Sequence, residues 1–554
     1  MAADLVITGA RVWPADERYD GATAVAIAGG RIAFVGADEE ARSFIGKGTR
    51  VVEARGRALL PGMVDAHQHL LYCSRVGYYN LCLSPEMDEA ACVATVREYA
   101  ARNPGRGAYC CVGFAPERFS APPRREALDA TCASKPVVAL SYDGHVTWAN
   151  SRALAVAGID ENTPDPARGF LCRDADGRPT GWLLGAAGAC AGGLLSRFMP
   201  AYTRAQNRDA ILRAQAEMLA RGVTTVYDAH VEADPDYFMA YEELARERRL
   251  ALRVRGAWFV ARETGGEQAI NALVDRCAGY VDQFRTDRFR VNGFKFLLDM
   301  TVEAGTAHLL EPYRSRAGFC GVRVWEDGDM LARLFRRIDR MGYQIHLHQM
   351  GDGAAAYALD ALERAGNLRA RHTFAHCQLI LDADKARMAG LGVSALVAPY
   401  WMNASVWSSV ALPLLGEARA ARQYPVRSLL DAGVRVGAHS DYTVSEPSFC
   451  CAFYGLMRRK LSLCAYRRFF PSGMPEAKQS LPPDAERVSA REAVGILTLG
   501  GAYSMCEEDE TGSITPGKAA DLALLSGDIG DLCEGEGCIE VDMTVCAGEV
   551  AFER

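Results

Sequence analysis

The chain has 554 residues, of which 49% are hydrophobic and 24% are charged, and its formal net charge is −7. This composition is ordinary for a folded globular protein and excludes a mostly disordered chain. The acidic balance gives no electrostatic reason to expect binding to nucleic acid. No apolar run approaches the roughly 20 residues that span a bilayer, and the N-terminal segment lacks the basic and apolar regions of a secretory signal.

The two ends of the chain share a pattern of short strands separated by turns that contain glycine. The predicted strands cover residues 5–12, 23–27 and 31–35 near the N-terminus, and residues 521–525 and 543–550 near the C-terminus. Each terminal piece is small for a stable domain, so we expect the two pieces to pair into one β unit.

The middle of the chain has a different pattern, in which short apolar strands alternate with helical segments. Eight strands are predicted, at residues 62–66, 223–228, 252–259, 291–298, 344–348, 373–377, 393–398 and 434–438. Apolar residues spaced three to four positions apart predict helices that include residues 205–221, 267–284, 329–341 and 354–364. This alternation predicts an α/β fold, a (β/α)8 TIM barrel. The gap after the first strand is too long for a usual βα unit, so residues 71–200 are expected to form an inserted subdomain.

The 18 cysteines are scattered along the chain and never form a CxxC motif. Disulfide scaffolds are typical of short secreted chains, and this chain is not short. We therefore expect most of the cysteines to be reduced and to serve as small buried apolar residues. This usage favours a cytoplasmic location.

Most of the ten histidines lie at or near the C-terminal ends of the predicted barrel strands, where a (β/α)8 barrel carries its active site. Neutral imidazole is a good ligand for zinc and similar ions. His67 and His69 lie at the end of the first strand, and the alternation of a strand points residues i and i+2 to the same side. Both can therefore reach one ion, although an HxH motif by itself is more often only a polar pair at a strand end.

Other barrel strands contribute side chains of similar chemistry. Lys295 lies within the fourth predicted strand, His348 and His376 belong to the fifth and sixth, and Asp441 follows the eighth. Asp is also favoured at helix N-caps. Beside clustered histidines, however, we interpret Asp441 as a metal-bound general base.

Two segments resemble the signature motifs of the amidohydrolase superfamily. Residues 61–69, PGMVDAHQH, are similar to its opening PG-[FM]-[IV]-D-x-H-x-H motif, and residues 512–522, GSITPGKAADL, are similar to its closing GxIxxGKxADL motif. Within the superfamily, the chain most resembles amidohydrolase family 3, the branch that includes N-substituted formamide deformylase.

Matches to the motifs of that branch extend along nearly the whole chain. Residues 143–151 resemble DGHxxWxNS, residues 177–181 resemble GxPTG, Lys295 begins a KxxxD motif, His348 begins an HxxGD motif, residues 371–376 resemble RHxxxH, and residues 440–441 resemble the closing SD.

The resemblance implies a barrel of residues 61–502 beside a two-piece β-sandwich of residues 1–60 and 503–554. It also implies that water activated by metal hydrolyses an amide-like carbon–nitrogen bond, N-acyl or N-formyl, of a small molecule. The implied cofactor is zinc or another divalent metal, with two ions per chain bridged by a carboxylated Lys295. The implied metal ligands are His67, His69, Lys295, His348, His376 and Asp441, and Asp441 is the implied catalytic residue.

Substrate contacts are harder to predict than metal ligands. Aromatic side chains usually serve packing, and an Asp at the start of a helix equally fits a cap. The expected substrate-binding residues are His145, Trp148, Asp352 and Tyr442. We expect His346 to point away from His348 and interpret it as structural, and we interpret His372 as structural or as a support for a ligand. The expected partner is a small-molecule substrate, with no nucleic acid and no membrane, and homo-oligomer formation stays open.

Two alternative functions stay open at this point. A mononuclear deaminase-type hydrolase of a ring carbon–nitrogen bond would use the histidines and Asp441 without a carboxylated lysine, so Lys295 discriminates the two enzymes. A non-catalytic metal- or ligand-binding barrel is the second alternative, and the complete set of ligand-type side chains argues against it.

Overall fold

The structure is a computed structural model. It describes residues 2–142, 144–166, 169–185, 197–199, 201–283, 286–406, 410–469, 479–534 and 537–554. Asp143, the first residue of the predicted DGH motif, lies outside the described residues.

The centre of the molecule is a nearly closed barrel of eight parallel strands, each paired with its neighbour in chain order. The barrel strands are Met63–Gln68, Val223–Val231, Arg253–Val260, Phe289–Leu297, Gln344–Gln349, Thr373–His376, Ser394–Val397 and Val436–Ala438. Just beyond their ends, the amide of Asp441 donates to the carbonyl of His67 at 3.1 Å, which links the eighth strand to the first. The predicted TIM barrel is confirmed.

Helices cover the outside of the barrel, so its strands are buried on both faces and consist of near-continuous apolar runs. In the second strand, every residue from Val223 to Val231 is buried. The helices of six or more residues are Leu70–Tyr79, Glu89–Arg102, Ser151–Ala157, Arg204–Leu219, Pro235–Arg246, Glu267–Gln283, Gly328–Arg340, Asp352–Ala365, Asp382–Gly390, Val426–Asp431, Phe449–Arg458, Leu463–Phe469, Ala490–Gly495 and Ile529–Glu534.

Two further sheets contain strands from the chain ends. One has four strands, Leu5–Thr8, Ala24–Ala28, Arg31–Gly36 and Arg50–Glu53, and the other has five, Arg11–Val12, Ala58–Pro61, Leu522–Leu525, Val541–Cys546 and Glu549–Glu553. In the second sheet, Leu522 pairs with Pro61, so the two ends of the chain are hydrogen-bonded to each other. Ile27 and Leu524 belong to one buried cluster between the two sheets. The predicted sandwich is thus present, whereas the exact domain boundaries stay predictions.

Two of the predicted terminal strands are each split by a turn. Residues 5–12 form two strands in different sheets because Gly9, with a φ of 62°, turns the chain between them. Residues 543–550 do not form one strand either, since Ala547 and Gly548 have φ angles of 45° and 84° and make the turn of a hairpin. Left-handed backbone of this kind favours glycine and interrupts a strand.

A separate six-stranded sheet lies between the first and second barrel strands along the chain. Its strands are Leu81–Cys82, Tyr109–Phe114, Val137–Ser141, Val146–Ala149, Gly169–Arg173 and Pro179–Gly185. The core of this inserted sheet contains Phe114, Trp148 and Trp182, all of them buried.

Most of the described cysteines have free thiols. Fourteen described cysteines carry free thiols, while Cys464 and Cys538 form a disulfide. Within the described ranges, no helix combines the length and the apolar character needed to cross a membrane.

Candidate metal centre

Three side chains from three different barrel strands meet at the C-terminal end of the barrel. His67 lies in the first strand, His376 ends the sixth, and Asp441 follows the eighth. One possible ligand atom from each lies within 4.8 Å of the other two. His69 joins them, because both its Nε2 and the Nε2 of His67 lie 3.3 Å from Oδ1 of Asp441. Strand order and burial thus place side chains that are distant in sequence around one point.

The polar atoms at this point are buried without hydrogen-bond partners. Among the described residues, nothing hydrogen-bonds to Nε2 of His67, Nδ1 of His376, Nδ1 of His69 or Oδ1 of Asp441. Each buried polar atom without a partner costs about 1–3 kcal/mol of folding free energy. Imidazole nitrogen and carboxylate oxygen are the donor types that zinc and related ions prefer. The residues present therefore fit a divalent cation.

Burial sets the protonation states that metal binding requires. Burial and then the charge of Lys295 hold the pKa of His67 well below its usual value, and burial with the neighbouring His348 does the same to the pKa of His376. Burial opposes ionisation of Asp441, but the close approach of His69 and the electrostatic influence of the other nearby imidazoles outweigh it, so its pKa lies below its ordinary value. The site therefore presents neutral imidazoles and an ionised carboxylate at neutral pH.

Lys295 lies beside this group inside the barrel. It belongs to the fourth strand, is 2% exposed, and its Nζ is 3.5 Å from Nδ1 of His67. Burial lowers the pKa of Lys295 to about 7, although the charge of Asp441 opposes the shift. A substantial fraction of the side chain is thus a neutral amine near neutral pH.

His348 lies next to His376. Their ring centroids are 4.4 Å apart, and Nε2 of His348 is 3.4 Å from the carbonyl oxygen of Met300. Burial, followed by the charges of Lys295 and His145, holds the pKa of His348 well below its ordinary value. His348 is adjacent to the three-residue group without belonging to it.

Asp299 supports the loop next to His348. It is fully buried and accepts hydrogen bonds from the backbone amides of His308, Met350 and Gly351 at 3.1, 3.1 and 2.8 Å. Burial nevertheless raises the pKa of Asp299 to about 8. This aspartate of the KxxxD motif ties the loop after the fourth strand to the end of the fifth.

Sequence reasoning missed the position of His346. Its Nε2 lies 2.6 Å from Nδ1 of His67, and its Nδ1 lies 2.8 Å from the hydroxyl of Thr373. The alternation of a strand puts residues 346 and 348 on the same side, so the second HxH motif carries the signal for this position. The contact leaves Nε2 of His67 to face Asp441.

The four predicted substrate-binding residues have different surroundings. Trp148 is fully buried in the core of the inserted sheet, where its indole N–H donates to the carbonyl of Arg124 at 3.1 Å. Asp352 begins a helix and accepts from the amides of Leu310 and Gly353, each at 2.9 Å.

The other two predicted residues lie closer to the centre. His145 is 9% exposed and is near enough to His348 to influence its pKa. Tyr442 directly follows Asp441, and its hydroxyl donates to Oε2 of Glu217 at 2.7 Å. The structure thus brings the six predicted metal ligands close together. Of the predicted substrate contacts, His145 influences His348 and Tyr442 adjoins Asp441, whereas Trp148 belongs to the core of the inserted sheet.

Aromatic and imidazole rings form a wall next to His69. His230 is stacked between Tyr72 and Phe259, with ring centroids 4.0 and 4.4 Å apart. The His230 ring is 5.7 Å from that of His69. A flat and largely apolar surface therefore borders the ligand cluster on the side of the second and third strands.

Comparisons with known proteins agree with this architecture. A family model described as Amidohydrolase family matches residues 50–552. The N-substituted formamide deformylase of Arthrobacter pascens is 29% identical, over 100% of this chain and 98% of that protein.

Two solved structures share the fold. An uncharacterized metal-dependent hydrolase from Pyrococcus horikoshii OT3 has a TM-score of 0.70 at 20% identity and covers 94% of this chain and 96% of that chain. An atrazine chlorohydrolase from Arthrobacter aurescens TC1, complexed with zinc, has a TM-score of 0.53 at 17% identity and covers 99% of this chain and 95% of that one. At these identities the likeness concerns the fold, and the family match carries the assignment: the chain belongs to the amidohydrolase family.

Proposed function

We propose that the protein is a metal-dependent amidohydrolase that cleaves an amide-like carbon–nitrogen bond of a small molecule, of N-acyl or N-formyl type. One observation carries the proposal: His67, His376 and Asp441 bring ligand atoms within 4.8 Å of one another at the active-site end of the barrel. The similarity to a formamide deformylase along the full chain supports this substrate class.

His67, His69, His376 and Asp441 would hold the first ion, and Lys295 and His348 would contribute to a second. The ion would be zinc or another divalent metal, in keeping with the nitrogen and oxygen donors. Lys295 is suited to carboxylation because burial lowers its pKa to about 7. The neutral amine attacks the carbon of CO2, an N–C bond forms, and one proton leaves, so a carbamate anion replaces the amine.

A divalent ion, when bound, lowers the pKa of a coordinated water toward neutrality and polarises a carbonyl oxygen. Asp441, which stays ionised, would accept a proton from the attacking water and deliver it to the leaving nitrogen. His145, whose charge influences the pKa of His348, would contact the substrate. Loops at this face determine specificity in barrels of this type.

The partner would be a small-molecule substrate, and the protein can act alone or as a homo-oligomer. A cytoplasmic location is supported by the free thiols of fourteen described cysteines, and the disulfide between Cys464 and Cys538 is the observation against it.

A mononuclear deaminase-type hydrolase is the second candidate, and a specific observation favours it. Among the described residues, His67, His376 and Asp441 bring ligand atoms within 4.8 Å of one another, enough for one ion, and His348 does not belong to that group. Such an enzyme would need His67, His376 and Asp441 without a carboxylated lysine.

Metal analysis combined with a substrate screen tests both candidates. Purified protein is assayed for bound divalent metal, and it is then incubated with N-formyl amides, N-acyl amides and amino-substituted ring compounds before and after chelation. We expect stoichiometric metal and hydrolysis of an amide that chelation abolishes and zinc restores. Activity that survives complete removal of metal would contradict the proposal, and turnover of the ring compounds alone would favour the deaminase.

A further inference from the structure

One carboxylate connects the two segments that follow the first and the eighth barrel strands. Glu217, on the helix Arg204–Leu219, accepts the hydroxyl of Tyr442 on Oε2 at 2.7 Å and that of Tyr78 on Oε1 at 2.8 Å. Tyr78 lies on the helix Leu70–Tyr79, which directly follows His69. Tyr442 directly follows Asp441. Glu217 thus links the segment after the first strand to the segment after the eighth.

The backbone of Asp441 requires such support. Its φ is 55°, in the left-handed region that a residue other than glycine occupies at a cost. The amide of Asp441 donates to the carbonyl of His67 at 3.1 Å, and the carbonyl of Tyr442 accepts from the amide of His69 at 3.0 Å. Any displacement of Tyr442 therefore shifts Asp441 relative to both histidines.

The Tyr442 side chain is arranged to hold this segment in place. It is 5% exposed, and a hydrogen bond to a charged acceptor is stronger than one between neutral groups. The Tyr442 hydroxyl donates to Glu217, and this hydrogen bond connects residue 442 to a helix outside the barrel. The hydrogen bond therefore ties the ring to the helix Arg204–Leu219.

We propose that Tyr442 and Glu217 are positioning residues, whose hydrogen bond fixes Asp441 where it accepts and returns the proton. This inference rests on the proposed function of Asp441. It replaces direct substrate contact as the role of Tyr442. A displacement of about 1 Å at a reacting group can cost about a hundredfold in rate, so a single hydroxyl at this place has a measurable effect.

The first test is Tyr442→Phe, which removes the hydroxyl and keeps the ring. With the N-formyl or N-acyl amide that the wild-type protein hydrolyses, we expect kcat to fall about tenfold to a hundredfold, while KM changes less than about twofold and metal content is unchanged. Glu217→Ala should cause a similar loss, and Glu217→Gln, which keeps an acceptor oxygen, should recover part of it.

Tyr79→Phe is a matched control. The hydroxyl of Tyr79 donates to Oδ2 of Asp209 at 2.7 Å. Like the Tyr78–Glu217 bond, this tyrosine–carboxylate bond joins the helix Leu70–Tyr79 to the helix Arg204–Leu219, but it does not reach residue 442. We expect a similar small change in Tm for Tyr79→Phe and Tyr442→Phe, and an unchanged kcat for Tyr79→Phe. A role in helix packing alone would lower kcat equally in both variants, and that result would overturn the inference.

A double-mutant cycle gives a second criterion. Because Tyr442→Phe and Glu217→Ala remove the same contact, the double variant should be no slower than the slower single variant. Rate losses that multiply would overturn the inference, as would a raised KM with an unchanged kcat, which would restore substrate contact as the role of Tyr442. Asp441→Asn measured alongside separates the two claims. A normal kcat in Asp441→Asn contradicts the function proposed for Asp441. A reduced kcat in Asp441→Asn together with a normal kcat in Tyr442→Phe contradicts the positioning role alone.

Discussion

His346 and His67 share a hydrogen bond across the interior of the barrel, with Nε2 of one 2.6 Å from Nδ1 of the other. On its far side, His346 meets the hydroxyl of Thr373 at 2.8 Å, and both residues are buried. A partner on one ring nitrogen of a histidine fixes its orientation and leaves the other nitrogen for a metal. His346 therefore determines that His67 presents Nε2 to the ligand cluster.

Replacing His346 with Phe should weaken metal binding, since it retains a ring but removes the contact with His67. Loss of such a supporting partner costs about 10–100-fold in metal affinity. Competition with a chelating dye measures this affinity directly. His372→Asn is the control, because His372 is also buried but contacts the amide of Ile345 and lies near Asp339. Equal affinity in wild-type protein and His346→Phe would contradict the prediction.

The combined change of His67→Ala and His69→Ala should remove bound metal. Both side chains place Nε2 3.3 Å from Oδ1 of Asp441, so the pair supplies two of the proposed ligands. We expect loss of metal and of activity with an unchanged circular dichroism spectrum, measured by elemental analysis and by the amide assay. A wild-type protein that binds no divalent metal would show that the ligand interpretation is wrong.

Asp441→Asn should reduce kcat much more than it changes KM. Asn keeps the size of Asp but cannot act as a base at neutral pH. We expect a loss of about 10²–10⁴-fold, the range of general acid–base groups, with a further loss if metal binding also weakens. The matched variant Asp209→Asn changes a carboxylate on the helix Arg204–Leu219, outside the proposed site, and should keep its turnover. Near-normal kcat in Asp441→Asn would exclude this residue from proton transfer.

The architecture is largely predictable from the sequence, because the relevant patterns are local. All eight barrel strands lie within a few residues of their predicted positions, since buried strands flanked by helices produce distinct apolar runs. The terminal strands are less predictable. The break at Gly9 and the hairpin at Ala547 depend on left-handed backbone, and an apolar run of similar length does not reveal it.

The site is predictable only to the level of which residues approach one another. His67, His376 and Asp441 can be expected at one end of the barrel because parallel strands align their C-terminal ends. Which nitrogen of His67 faces the centre depends on His346, more than 270 positions away in the chain. The HxH motif at residues 346–348 indicates the side of the strand on which His346 lies, but not its contact with His67. Trp148 shows the same limit, since a motif match does not distinguish a substrate contact from the core of the inserted sheet.

The acid stability of the protein should depend on His372. Burial lowers the pKa of His372 from 6.5 to about 4, although Asp339 opposes the shift. Between these values the unfolded chain binds a proton that the folded protein does not, so this contribution to stability is complete above pH 6.5 and is lost as the pH falls toward 4. Between pH 7 and pH 5, His372 should therefore lower the unfolding free energy by about 2 kcal/mol.

His372→Asn should remove this pH dependence, because Asn does not titrate and its oxygen can still accept from the amide of Ile345. Urea unfolding at pH 7 and pH 5 tests the expectation. The variant should lose about 2 kcal/mol less unfolding free energy than the wild-type protein between the two pH values. Parallel losses in both proteins would show that His372 does not contribute to acid unfolding.

Lys295→Ala separates the binuclear hydrolase from the mononuclear alternative. Two divalent ions about 3.5–4 Å apart repel each other strongly and need a bridging anion. Lys295 is buried beside His67, where a carbamate would supply that anion. If two ions bind, Lys295→Ala should lower the metal content from about two ions per chain to about one, and Lys295→Arg should not restore it because a guanidinium stays cationic.

Lys385→Ala is the control for this change, since Lys385 is also buried and pairs with Asp382 on a helix outside the barrel interior. It should keep the wild-type metal content. A small carboxylic acid added to Lys295→Ala should enter the cavity and restore part of the second site. Carbamates are lost in acid, so electron density at neutral pH is a better measure of carboxylation than intact mass. A wild-type protein with one ion and an unmodified amine would contradict the binuclear proposal and favour a mononuclear enzyme, with His67, His376 and Asp441 as its ligands.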